Sequence, residues 1–298
     1  MKKYLWTLDG GRLEYKSTHA HSEINWLFLP GGPGLGSEAL AGLTQLLKHK
    51  VPGVLWHFDL PGDGSNLLKD KSLADWQSAL MQAINVFEKV VLVAHSTPGM
   101  YVQTIPDLEK HLHGLVLIGS SPDASWREGF EKYCEEQVDE AIKLAAEQYS
   151  EHPTNETLRA LLIAGAKYSF STKESIQKGQ DLFRSLAVNH SANFWSSTHF
   201  DGEEYKARWV PQTIPTLMMT GSEDKITPIE LFKTNQAYAR KNILIRAIKG
   251  AGHYPWYENP EDTLKLFEEF SFFCRQSLTF YSPYYHVNLT SVMDKNLM

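Results

Sequence analysis

A chain of 298 residues, 42% of them hydrophobic, is long enough to bury a sizeable core as one large domain or as a domain carrying an insertion. Its net charge of -6 lacks the basic footprint a nucleic-acid partner needs, and it has no run of about 18 apolar residues to span a membrane. Two cysteines, Cys134 and Cys274, make neither a disulfide framework nor a metal motif, and the N-terminus lacks an apolar signal segment, so the expected location is cytoplasmic.

Residues 1–15 read as a strand pair around the Asp9-Gly10-Gly11 turn. Residues 25–29 are a short apolar strand that leads straight into Pro30-Gly31-Gly32-Pro33-Gly34-Leu35-Gly36. This loop has neither the lysine of a phosphate-binding loop nor the spacing of a dinucleotide fingerprint, so it implies no nucleotide cofactor. It suits a bare backbone N–H brought close to a ligand. Residues 54–58 are the next strand, ending in Asp59-Leu60-Pro61-Gly62-Asp63-Gly64-Ser65, and Ser72-Leu73-Ala74-Asp75 is a capping box that opens a helix to about Phe87.

Val90-Val91-Leu92-Val93 has the apolar, β-branched character of a strand buried on both faces. It runs into Ala94-His95-Ser96-Thr97-Pro98-Gly99 and then a helix cut short near Pro106. A serine among small residues at a strand-to-helix turn is a nucleophile elbow, a sharp turn that lifts Oγ clear of the sheet. Residues 114–118 form a further strand. The pattern then changes: residues 123–210 read as helical and strand-poor, rich in aromatics, with 15 acidic against 10 basic side chains. Strands return at 215–220 and 242–247, with helices after Pro228 and over 260–273. The alternation implies an α/β fold with a mostly parallel, doubly wound sheet. Residues 1–121 and 211–298 would form the core and residues 122–210 a helical cap.

Two later strand ends carry chemistry. Asp224 follows Thr220-Gly221-Ser222-Glu223, and His253 follows Gly250-Ala251-Gly252. A serine is a poor nucleophile at neutral pH and needs a base within hydrogen-bond reach, which in turn needs an acid to fix its tautomer. Ser96, His253 and Asp224 can fill those roles, each just past the carboxyl end of a strand, where ligands bind in open parallel sheets. The oxyanion formed on attack needs N–H donors, and those of Gly32 and Thr97 are the natural pair. Glu223 is adjacent to Asp224, and Asp123 lies in another loop that could supply the acid. His19-Ala20-His21 and His111-Leu112-His113 do not share a helix face, and there is no H-E-x-x-H motif, so no metal is expected.

From Asn25 to Phe273 the chain resembles α/β-hydrolases with a helical cap, and within them proline iminopeptidases. The motifs are Gly31-Gly32-Pro33-Gly34, Asp59 to Ser65, His95-Ser96-Thr97-Pro98-Gly99 and the segments of Asp224 and His253. The resemblance implies a metal-independent serine hydrolase acting on a small amide or ester, with a short peptide carrying an N-terminal proline as the favoured substrate. Glu203 and Glu204 in the acidic cap are candidates for binding the substrate amine, and Trp256 is a further substrate-binding candidate. A carboxylesterase, a C–C bond hydrolase and a catalytically weak binding member of the fold are the alternatives. The chain departs from the family pattern where Pro30 replaces a histidine and where Ala94 and Pro98 replace glycines. Proline disfavours helical angles in the residue before it, so Pro98 is expected to disfavour a helical Thr97 and to tilt its N–H slightly from the oxyanion, while removing only its own N–H.

Overall fold

The computed structural model describes residues 3–20, 22–200 and 205–280. Its strands are β1 (Tyr4–Trp6), β2 (Arg12–His19), β3 (Ile24–Leu29), β4 (Gly53–Asp59), β5 (Lys89–His95), β6 (Gly114–Ile118), β7 (Thr216–Gly221) and β8 (Ile243–Ile248). They form one sheet in the order β1-β2-β4-β3-β5-β6-β7-β8. β1 and β2 pair antiparallel, as does β2 with β4, and every other neighbour pair is parallel.

The central strands are apolar because they are covered twice. Alternate residues of a strand point to opposite faces, and here the two sets enter two separate clusters. Trp26, Phe28, Val91, Val93, Val116 and Ile118 pack on one side, Leu27, Leu29, Leu92, Ala94, Leu115 and Leu117 on the other. The helices that cover them are α1 (Ala41–Leu47), α2 (Trp76–Ile84) and α3 (Thr97–Val102) before β7, and α10 (Glu230–Lys233), α11 (Pro255–Glu258) and α12 (Pro260–Phe280) after it. The expected capping box is formed at Ser72, whose Oγ accepts from Ala74 N–H while Asp75 accepts from Ser72 N–H. α12 runs past the expected end at residue 273, since residues 274–280 hold neither glycine nor proline to stop it.

Between β6 and β7 the described chain is helical: α4 (Trp126–Gln137), α5 (Glu140–Glu151), α6 (Asn155–Ala164), α7 (Ala166–Ser169), α8 (Lys173–Ser185) and α9 (His190–His199). Short side chains start these helices, with Asp139, Thr154, Thr172 and Asn189 each accepting from a backbone N–H of the first turn. The insertion rests on the carboxyl edge of the sheet. Asn189 N–H donates to Gly34 O at 2.8 Å and its side-chain amide to Gly62 O at 2.7 Å, while Val188 bridges to Leu35. Among the described residues no helix is long and apolar enough to cross a membrane.

β4 lies on one side of β3 and β5 on the other, so the connections leave in opposite directions from the ends of β3 and β5. The long helix α12 holds this part of the sheet in place: Phe267 is fully buried, with its ring 6.3 Å from that of Trp26 in β3. Phe267→Ala should therefore cost about 3–5 kcal/mol in denaturant unfolding, with an unchanged denaturant slope. A loss below about 1 kcal/mol would mean that α12 is not needed to cover this face.

Candidate active site

β5 ends at His95, and Ser96 turns the chain into α3 with φ 60° and ψ -134°. A positive φ in a residue with a Cβ costs energy and persists only where surroundings enforce it. Here the enforcement is visible. Ser96 N–H donates to Ile118 O in β6 at 2.8 Å. On the other side Gly31 lies so close that a Cβ there would sit 2.7 Å from Ser96 Cβ and 2.5 Å from His95 Nδ1. That is the physical reason for glycine directly after β3.

The expectation for Pro98 is corrected: α3 begins at Thr97 all the same. Pro98 sits in the first turn, where its missing N–H has no intrahelical acceptor to lose, and its ring is buried. Packing and a preset φ outweigh the steric bias on Thr97. Thr97 N–H thus lies at a helix start, where no carbonyl of the same helix reaches it.

The glycine loop after β3 is held from below by two buried acids. Gly34 N–H donates to Asp63 Oδ1 at 2.9 Å and Leu60 N–H to Asp63 Oδ2 at 3.1 Å. Asp59 accepts from Ser37 N–H at 2.6 Å and from the Arg12 guanidinium at 2.8 and 3.1 Å. Burial drives both carboxyls above their ordinary range, against backbone donors at Asp63 and against Arg12 at Asp59. The sequence marked the Asp59 to Ser65 segment as a motif but did not show that Arg12, from β2, is its partner.

Past β7 and β8 the two remaining side chains meet. His253 Nδ1 lies 2.9 Å from Asp224 Oδ2, and both residues are 3% exposed. Burial pushes the Asp224 carboxyl up, but the His253 charge and hydrogen bond, with bonds from Thr220 and Thr227, overcome it and hold it at about 2. Asp224 is therefore an anion, and His253 presents Nδ1–H to it. Gly119, just past β6 with φ 53°, makes room for the ring: a Cβ there would lie 2.7 Å from His253 Cε1. Ser96 and His253 thus flank the Ile118-Gly119 turn, one on its carbonyl and one on its glycine. Asp123 is elsewhere, its Oδ1 accepting from Ser125 N–H at 3.0 Å and from Ser125 Oγ.

Between the elbow and His253 lies His95, fully buried, its ring centroid 4.7 Å from that of His253. Its Nε2–H donates to His253 O at 3.1 Å. Trp256, 4% exposed, packs edge-on to His95 at 5.2 Å, so its ring belongs to the core behind the site. Glu203 and Glu204 lie outside the described residues, as does His21. Among the described residues no group of three or more His, Cys, Asp or Glu is placed to hold a metal ion.

The model of the alpha/beta hydrolase family matches residues 26–266. No protein of curated function matches the chain. Among solved structures, the fold is shared with a proline iminopeptidase-related protein from Thermus thermophilus (TM-score 0.68, 17% identity, 93% of this chain and 99% of that one). It is shared with a thermophilic esterase from Thermogutta terrifontis (TM-score 0.64, 17% identity, 93% and 99%). A proline iminopeptidase from Mycobacterium smegmatis also superposes (TM-score 0.61, 17% identity, 94% and 100%).

Burial, aided by the charge of His253, holds the His95 imidazole down at about 3, against an ordinary 6.5. As pH falls below 6.5 the unfolded chain takes up a proton there that the folded chain refuses until about pH 3. The folded state should lose up to about 1.4 kcal/mol per pH unit over that window. His95→Gln, which keeps a donor and removes the ionisation, is expected to flatten this slope in unfolding titrations run from pH 7 to pH 3. An unchanged slope would contradict a buried neutral imidazole.

Proposed function

Because the chain belongs to the alpha/beta hydrolase family, we propose that it is a metal-independent serine hydrolase in which Ser96 is the nucleophile, His253 the base and Asp224 the acid that orients it. The observation that carries this reading is the buried 2.9 Å contact between His253 Nδ1 and Asp224, set against a serine held at positive φ at the end of β5 on the same edge of the sheet. With Nδ1–H on the carboxylate, Nε2 is the free acceptor of the ring. Ser96 Oγ adds to a carbonyl carbon as His253 Nε2 takes its proton. The negative charge gathers on the carbonyl oxygen, facing the N–H groups of Gly32 and Thr97. Collapse expels the leaving group, which takes the proton from His253, and leaves an ester on Ser96. Water then repeats the sequence with the acid as product.

Residues 122–210 act in this reading as a cap over the site. The favoured substrate is a short peptide with an N-terminal proline, supported by the fold shared with proline iminopeptidases and by the acidity of the inserted segment. Glu203 and Glu204 would take the protonated amine. Carboxylester hydrolysis is the second reading, since an esterase superposes to a similar degree. Rates on a prolyl arylamide and on a short-chain nitrophenyl ester, measured side by side, separate them. Faster ester turnover with an inert arylamide would overturn the peptidase assignment.

Ser96→Ala is expected to abolish labelling by a fluorophosphonate, which reacts only with an activated serine, and to lower turnover by several orders of magnitude. Asp224→Asn should keep the fold but favour the wrong imidazole tautomer, lowering turnover by up to about 10⁴. Asp123→Asn, which loosens only the Ser125 turn, should leave turnover near the parent. The reverse outcome for the two aspartates would move the acid to the other loop.

A further inference from the structure

Glu258, in the short helix α11, does not behave as a surface acid. Its Oε2 accepts from Gly252 N–H, the residue before His253, at 2.6 Å. Its Oε1 accepts from Ser171 N–H at 2.8 Å and Ser171 Oγ at 2.7 Å, between α7 and α8, and from Ser175 Oγ at 2.6 Å, in the first turn of α8. One carboxylate therefore joins the base-bearing loop to the insertion. The same two segments touch on both sides of it. His253 N–H donates to Ser169 O at 2.9 Å, and the Phe170 ring stacks on Tyr254 at 5.1 Å. A Cβ on Gly252 would lie 2.6 Å from Ser169 O, so only glycine lets the segments close to this distance.

We propose that Glu258 is a positioning residue: by tying Ser171 and Ser175 to Gly252 it keeps the inserted helices seated on the His253 loop and keeps the imidazole in line with Ser96. This rests on the serine-hydrolase reading above. The backbone of His253 is held from two sides, its N–H by Ser169 O and its carbonyl by His95 Nε2–H. The Glu258 bonds fix the residue immediately before it. Every partner of Glu258 is an N–H or an O–H, and an ionised carboxylate, which only accepts, satisfies all of them. An amide cannot. Whichever way Glu258→Gln is turned, its NH₂ faces either Gly252 N–H or Ser171 N–H, and one side of the latch opens. A base displaced by about 1 Å lowers the rate by roughly 10²-fold without touching the substrate.

The test is the rate of fluorophosphonate labelling of Ser96, read beside kcat, KM and the melting temperature for the parent, Glu258→Gln and the pair Ser171→Ala with Ser175→Ala. A folded Glu258→Gln protein should label up to about 10²-fold more slowly than the parent. Its kcat on an ester should fall in step while KM stays within about two-fold. A structural role alone would lower the melting temperature and leave the labelling rate of the folded protein at the parental value, and that result overturns the proposal. If Glu258→Gln does not fold, the serine pair decides: slower labelling supports the latch, and parental labelling removes it. A parent that does not label at all overturns the serine-hydrolase reading instead.

Discussion

A carboxylate shut away from water survives as an anion only if other donors replace its hydration. Asp224 is such a group, and much of the carboxyl edge of this sheet is arranged to meet its needs. Oδ1 accepts from Ile226 N–H at 2.9 Å and Thr227 N–H at 3.1 Å, and Oδ2 from the hydroxyls of Thr220 and Thr227 as well as from His253. The loop after β7 must turn at once to bring those backbone donors round, and the loop after β8 must return close enough to deliver the imidazole. Gly119 clears the space between them. The charge, once held, decides which nitrogen of His253 carries its proton.

The insertion depends on different forces. Its ion pairs, such as Lys143–Glu140, Lys178–Glu174 and Arg184–Asp181, lie on exposed faces, where water and salt screen them and they contribute little. Burying Phe170 or Phe183, which are 3% and 2% exposed, is worth about 1.5–3 kcal/mol apiece. Aromatic burial against Tyr254 and the caps at helix starts therefore hold the insertion. Its contacts at Gly34 and at His253 fall on loops at the carboxyl edge of the sheet.

The alternation of strands and helices was legible because the central strands are buried on both faces, which leaves an unbroken apolar run such as Val90 to Val93. The elbow was legible for a related reason: crowding between β3 and β5 tolerates only small residues, and glycine marks the place. The sequence reading preferred Asp224 over Asp123 as the acid, although both follow strand ends, and the fold sets Asp224 against His253. Pro98 misled because a local steric rule was applied to a ring that tertiary packing seats in a first turn. Trp256 stood among the substrate-binding candidates, yet its ring packs into the core against His95. Glu258 gave no signal at all, for one of its partners is a nearby backbone N–H and the others are on serines more than 80 residues away.

The placement of the insertion before β7 has a consequence for how the protein comes into being. His95 and His253 are hydrogen-bonded although 158 residues separate them. During synthesis the elbow, the glycine loop and the first strands emerge early, and the loops bearing Asp224 and His253 follow only after the entire insertion. On the serine-hydrolase reading proposed above, a nascent chain that stops short of β8 carries Ser96 on its turn with no imidazole to activate it. Contacts of such long sequence separation also close slowly. On that reading reactivity is deferred until the last strand is laid against the sheet, and the chemistry itself would report that the fold is complete.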